Sequence, residues 1–242
     1  MTPRVRAVFR KELQEFRRNK FVVGTMIVLP VIFIVIPIGN ILSLKAGTSE
    51  AAIRSVLGGA SLTFFLVPLI LPTVIAGYAV VGEREQGTLE PVLTTPIREA
   101  ELLIGKALAA VVPSVVIAYG LFAVFLLVVR AAAIPAVVDL VSQPSQLVAT
   151  VLFAPLLSTF SIWVGLAISV RSNDIRVAQQ LSALAMLPML GLIALFTFRV
   201  IEPSVSVAVI GAAILVAFDV VAWRIVSAMF DRERMLTRYG RA

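Results

Sequence analysis

Residues 83–106, EREQGTLEPVLTTPIREAELLIGK, hold eight of the chain's 35 charged side chains, five of them carboxylates. The partners that covalent or metal chemistry would need are missing. The chain has no His and no Cys, which removes thiolate nucleophiles, Cys/His zinc sites, His-liganded haem and any Ser-His dyad. The nearest approach to a phosphate loop is Gly105-Lys106, but Ala100 stands where the first Gly belongs and Ala107 where Ser or Thr belongs. The chain is therefore not expected to hydrolyse ATP. The segment reads instead as a binding element. Gly87 permits a turn. Thr88 can cap a short helix with Leu89 and Glu90 in its first turn, where a carboxylate suits the positive helix end. Pro91 is tolerated there, because first-turn amides lack intrahelical partners. Thr95 can cap a second helix starting at Pro96, a favoured first helical residue, with Glu99 and Glu101 following and Gly105-Lys106 leading onward. An apolar turn of Leu89, Val92 and Leu93 is thus presented from a charged loop, as a docking knob for a partner.

The elements that carry this loop follow from composition. Of 242 residues, 60% are apolar and 14% charged, against about 45–50% and about 25% in soluble domains. So much apolar surface cannot be hidden in a water-soluble core of this size. The solvent is lipid. Six stretches are nearly free of charge and long enough for the roughly 20 residues that cross a bilayer: residues 21–44, 57–81, 107–129, 147–170, 177–198 and 203–223. Alternating ten-residue segments of a closed barrel are absent. The expected fold is an all-α membrane protein, a single domain over 1–242, with an amphipathic surface helix over 1–20 and a basic tail over 224–242. With both termini cytoplasmic, the inner segments hold 17 Lys or Arg and the outer segments 4. That asymmetry fixes the orientation and explains the net charge of +7 by anionic lipid heads rather than nucleic acid.

Seven prolines interrupt the spans (Pro30, Pro37, Pro68, Pro72, Pro113, Pro155, Pro188), and each frees a carbonyl that needs another donor. In the first twenty residues Val5, Val8, Phe9, Leu13 and Phe16 share one face, predicting a helix lying along the inner surface with that face in the headgroup boundary. Glu12 projects within the apolar stripe and needs a cation; Arg84 and Arg176 are candidates. Asp219 is the one acidic residue inside a span, with Arg224 as expected partner. In span five, Gln179, Ser182, Met186, Met189 and Ile193 form the most polar and polarisable stripe of any span, spaced for one helix face. A secondary transporter driven by ions would place several ionisable groups at mid-membrane, and an intramembrane aspartyl protease needs two Asp; one Asp serves neither well. A non-transporting scaffold remains the other alternative.

The loop also resembles the signature of permease subunits of ATP-binding-cassette (ABC) transporters of type 2. The match runs through Glu83, Arg84, Glu85, Gly87, Thr88, Leu89, Glu90, Thr95, Pro96, Gly105 and Lys106, with Pro91 as a departure. Lys11-Glu12-Leu13 with Arg17-Arg18 is similar to the family's entry helix, and Phe230-Asp231-Arg232-Glu233-Arg234 with Leu236 to its tail. The resemblance implies that the loop is a coupling helix docking on a separate cytosolic ATPase. It implies a permease dimer of twelve spans above two ATPase subunits that bind the ATP and Mg, in a prokaryotic plasma membrane. It also implies that spans two and five wall a central path, so that Thr73, Gln179, Ser182, Met186 and Met189 become the candidate lining. Met adapts to varied apolar shapes, which suits an amphipathic or hydrophobic cargo moving outward: a drug, a lipid or a lipid-linked molecule.

Overall fold

The computed structural model describes residues 2–85, 87, 97–198 and 204–229, without the side chains of Tyr78, Ala79 and Arg84. Among these residues the chain is helical, without strands. The elements are α1 (Pro3–Arg18), α2 (Lys20–Leu42), α3 (Glu50–Gly77), α4 (Glu99–Ala132), α5 (Pro135–Val141), α6 (Pro144–Arg171), α7 (Ile175–Thr197) and α8 (Val205–Met229). Six of them, α2, α3, α4, α6, α7 and α8, are long and apolar enough to cross a membrane. Each overlaps most of one of the six apolar stretches, although α3 ends at Gly77 rather than 81, α8 runs six residues beyond 223 and α4 begins at Glu99 rather than Pro96. Ile97 and Arg98 are not helical; the turn starts only where the Glu101 carboxylate accepts from the Arg98 backbone N–H at 3.3 Å.

Side-chain caps set several boundaries. Thr2 accepts from Val5 N at 3.3 Å and so starts α1. Asn19 makes the elbow into α2: its side chain accepts from Phe21 N at 3.0 Å and Val22 N at 3.3 Å, while its own N–H donates to the end of α1. Asp174 caps α7 through Arg176 N at 2.7 Å and Val177 N at 3.1 Å, as its sequence position predicts.

The innermost helix is α3, which packs against α2, α4, α6 and α7. The register comes from close contacts. Thr73 meets Ser161 and Val81 meets Ser169, so α3 and α6 run parallel. Around this spine α2, α7 and α8 turn large apolar side chains outward, including Ile27, Val35, Leu184, Ile210 and Phe218, as lipid requires. One proline's freed carbonyl is accounted for directly. Pro155 cannot donate to Val151 O, and the Tyr119 hydroxyl from α4 donates there instead at 2.7 Å.

The apolar face of α1 departs from its expected place. Val8 and Phe16 are buried in one cluster with Leu102, Leu103 and Ala107 of α4, and Val5 of α1 is buried too. The apolar face of the helix thus packs on protein, while Arg10 and Arg17 stay exposed on its other sides. The reason lies in α4: a Cβ at Gly105 would stand 2.6 Å from Val8 Cβ, so only glycine there lets the two helices close.

Candidate functional site

The close approach at Gly105 carries the next residue, Lys106, across to α1. Lys106 Nζ lies 2.8 Å from Glu12 Oε1 and 2.8 Å from Glu83 Oε2. The three side chains come from α4, α1 and the short turn Glu83–Glu85 that follows α3, and they are 1%, 2% and 5% exposed. Lys11 completes the cluster from its rim: its Nζ pairs with Glu83 Oε1, stands 3.4 Å from Glu12 and 3.0 Å from Glu15. Glu12 is thereby explained. Its partners among the described residues are Lys106 and Lys11; of the two expected arginines, Arg176 is exposed at the start of α7, and the Arg84 side chain lies outside the described residues.

Burial alone would raise the Glu83 pKa, but Lys106 first and Lys11 second outweigh it and hold the carboxyl below its usual range. Lys11 is shifted the other way: burial would lower its pKa, yet Glu12 and Glu83 hold it above the ordinary lysine value. Three carboxylates lie close enough to share a cation, and two ammonium groups already occupy the space between them. The arrangement is thus an electrostatic clamp with little room for catalysis. Taking one member away leaves the others buried without their counter-charge.

The clamp sits where the 83–106 loop leaves the bundle. Beyond Gly77 the chain widens into a π-helical turn, Tyr78–Gly82, and a last short turn, Glu83–Glu85. Such wide turns leave backbone groups for other partners, and Val81 N–H donates to Ser169 Oγ of α6 at 3.2 Å. A Cβ at Gly77 would come 2.7 Å from Gln179 Cγ of α7. Glu85 accepts from Ile175 N at 3.2 Å, at the start of that same helix. Gly87 adopts φ +67°, the left-handed turn its position predicts. The start of the loop is therefore tied to α1, α4, α6 and α7 within a few residues.

Of the expected docking residues, Glu83, Glu85 and Gly87 are described and belong to this junction. Thr88, Leu89, Glu90, Val92, Leu93, Thr95 and Pro96 lie outside the described residues. The candidate lining residues come together between α3, α6 and α7. Thr73 is buried, donates to Leu69 O at 2.8 Å and meets Ser161. Ser182 and Met186 are buried, Met189 and Gln179 partly so. Within one chain this stripe faces the protein interior. The Oγ of Ser182 and the Nε2 of Gln179 have no hydrogen-bond partner among the described residues, so the seam is incompletely satisfied there. Asp219 also differs from expectation. It is buried on α8 with neither carboxylate oxygen hydrogen-bonded among the described residues; Arg224, five residues on, points about 140° around the helix.

Sequence reasoning placed Lys11, Glu12 and Lys106 in motifs but not in one site. A usable signal was present: one acid inside the apolar stripe of α1, and one base at the first turn of an apolar span.

The profile of the ABC-2 type transporter family matches residues 3–203, including α1, the clamp, the loop and five of the six long helices. This chain belongs to that family. Two curated relatives are named probable ABC transporter permease protein NosY. The one from Pseudomonas aeruginosa is 34% identical over 110 residues, 44% of this chain and 38% of its own length. The one from Stutzerimonas stutzeri is 36% identical over 102 residues, 41% of this chain and 36% of its own length. The matches thus span well under half of those relatives. Family membership and six apolar helices together make this a multi-pass membrane protein.

Proposed function

We propose that this chain is the membrane-spanning permease subunit of a prokaryotic ABC exporter, working as a dimer above two copies of a cytosolic ATPase. The names of its relatives support the permease reading. ATP and Mg bind the partner; this chain supplies the path and the coupling. Both termini and the 83–106 loop face the cytoplasm, in line with the concentration of Lys and Arg on that side. Anionic lipid heads sit against the exposed Arg10 and Arg17 of α1.

The observation that carries the coupling role is the clamp. Glu83 at the start of the 83–106 segment and Lys106 at its end both bind α1. A force applied to Leu89, Val92 and Leu93 by a closing ATPase cannot stay local, because both ends of the loop are anchored to one buried cluster. It is passed to α3 and α4, and through Ser169 and Ile175 to α6 and α7. Glu83, Arg84, Glu85, Gly87, Thr88, Glu90, Thr95 and Pro96 shape and seat the knob. The incompletely bonded seam of Thr73, Gln179, Ser182, Met186 and Met189 opens as α3 and α7 separate, exposing a path for an amphipathic or hydrophobic cargo.

The test is co-purification with the ATPase followed by transport in proteoliposomes. Leu89→Asp or Glu90→Lys should lose the ATPase or the transport. Unchanged assembly and transport in both variants would remove the docking claim.

A further inference from the structure

Where α1 turns into α2, a groove of about 420 Å³ opens between the two helices. That volume falls within the roughly 300–1,000 Å³ of small-molecule sites. Its two sides differ in chemistry. Arg10 and Arg17 stand on α1 two helical turns apart, so their Cα atoms lie on one face with a separation of about 10 Å. Gln14 lies between them and adds an amide donor. From α2, Val23 and Met26 supply an apolar wall about 5–9 Å along the helix from its start at Lys20. Leu13 and Phe16 of α1 close the floor.

Neither Arg10 nor Arg17 enters an ion pair among the described residues. The carboxylates of α1 point elsewhere: Glu12 and Glu15 lie about 140–160° around the helix from either arginine, and Lys11 and Lys106 hold them. No acid lines the groove. Two cations therefore share it with an apolar wall.

The occupant that matches is an amphiphile with an anionic oxygen head and a hydrocarbon stem. A guanidinium binds phosphate oxygens through paired N–H donors. Val23 and Met26 stand at the depth of the headgroup–acyl boundary, which a surface helix reaches about 5–10 Å into the bilayer. A soluble anion would leave their apolar surface wet, whereas a phospholipid covers it.

We propose that the groove between α1 and α2 holds one anionic phospholipid of the inner leaflet, with its phosphate between Arg10 and Arg17 and the start of one acyl chain on Val23 and Met26. The site narrows the lipid contact of the proposed function to one defined place, and it rests on that reading only for the side of the membrane. Because α1 also carries Lys11 and Glu12, the bound lipid braces the helix on which the clamp is built.

The test places the full chain in phosphatidylcholine nanodiscs with a small, sub-saturating share of phosphatidylglycerol bearing a photoreactive diazirine near the glycerol end of one chain. Both faces of a nanodisc offer the same lipid, so the labelling is independent of orientation, ATPase and transport, and failure of the exporter reading would leave it unchanged. Labels should concentrate in the peptides bearing Phe16, Val23 and Met26. Arg10→Gln/Arg17→Gln, two exposed positions, should lower that labelling about thirtyfold through the loss of two charge-assisted contacts. Arg6→Gln/Arg18→Gln removes the same charge from exposed positions of α1 outside the groove and should change it less than about threefold, since only screened attraction is lost. Equal losses in the two double variants would overturn the proposal, because they would mark diffuse attraction to a basic helix. Equal labelling by a diazirine diacylglycerol, which lacks the phosphate, would overturn it as well. So would displacement by soluble glycerol phosphate, the mark of a free-anion site, or the absence of label at Val23 and Met26, which would leave the groove to a protein contact.

Discussion

Lys106 Nζ and Glu12 Oε1 are 2.8 Å apart and both side chains are almost wholly removed from solvent. An ion pair in that setting gives little net stability over an apolar pair of equal shape, but breaking it from one side is expensive. Glu12→Ala should therefore destabilise the chain by about 3–5 kcal/mol, and Lys106→Met should do comparable damage by leaving two carboxylates buried together. The double variant Glu12→Ala/Lys106→Met should lose less than the two single losses combined. Thermal unfolding in detergent measures the cycle; strict additivity would show that the two groups do not interact.

The clamp gives the fold an acid limit. Glu83 has a depressed pKa in the folded chain, so its contribution is present above the unfolded carboxyl value of about 4.3 and disappears as the pH falls through the lower folded value. Lys11 is raised, so its contribution is complete below the unfolded value of about 10.4 and fades only as the pH climbs through the folded one. Stability should thus be flat from neutral to mildly alkaline pH and fall in strong acid. Glu83→Gln should be less stable at neutral pH and should flatten the acid limb. An unaltered acid limb would contradict this assignment.

Two glycines on α4 should respond in opposite directions. Gly105→Ala must push against Val8 at 2.6 Å and should cost about 1–3 kcal/mol. Gly120→Ala meets nothing within 4 Å and should be neutral or stabilising by up to about 1 kcal/mol through helix propensity. Similar melting shifts for the two would show that α1 and α4 are not pressed together.

The Tyr119 hydroxyl satisfies a carbonyl that Pro155 leaves open. Tyr119→Phe should cost about 0.6 kcal/mol, the mean for hydrogen bonds between membrane helices. In a Pro155→Ala background, where the helix supplies its own N–H to Val151 O, the same substitution should cost almost nothing. An equal cost in both backgrounds would mean that the hydroxyl acts elsewhere.

Much of this was legible in the chain itself. Six spans followed from runs of uncharged residues, because a helix in lipid admits few alternatives. The Asp174 cap and the Gly87 turn followed from local chemistry, which needs no partner. What failed was whatever depended on a neighbour. The amphipathic pattern of α1 is the same whether its face meets lipid or α4, and only the proximity of Gly105 decides between them. Glu12 visibly needs a cation, yet Lys106, 94 positions away, cannot be ranked against Arg84 and Arg176 from sequence alone. Arg224 was nominated for Asp219 by closeness in the chain, and helix geometry turns it away.

The most direct measurement is the number of cargo molecules moved per ATP by the reconstituted complex when the clamp is neutralised as a pair, with Glu12→Gln and Lys106→Met together. The clamp account predicts that the ATPase still binds and still hydrolyses ATP, while transport per ATP falls by about tenfold or more, equivalent to about 1.4 kcal/mol of lost coupling. An assembled, folded complex with the wild-type ratio would contradict it.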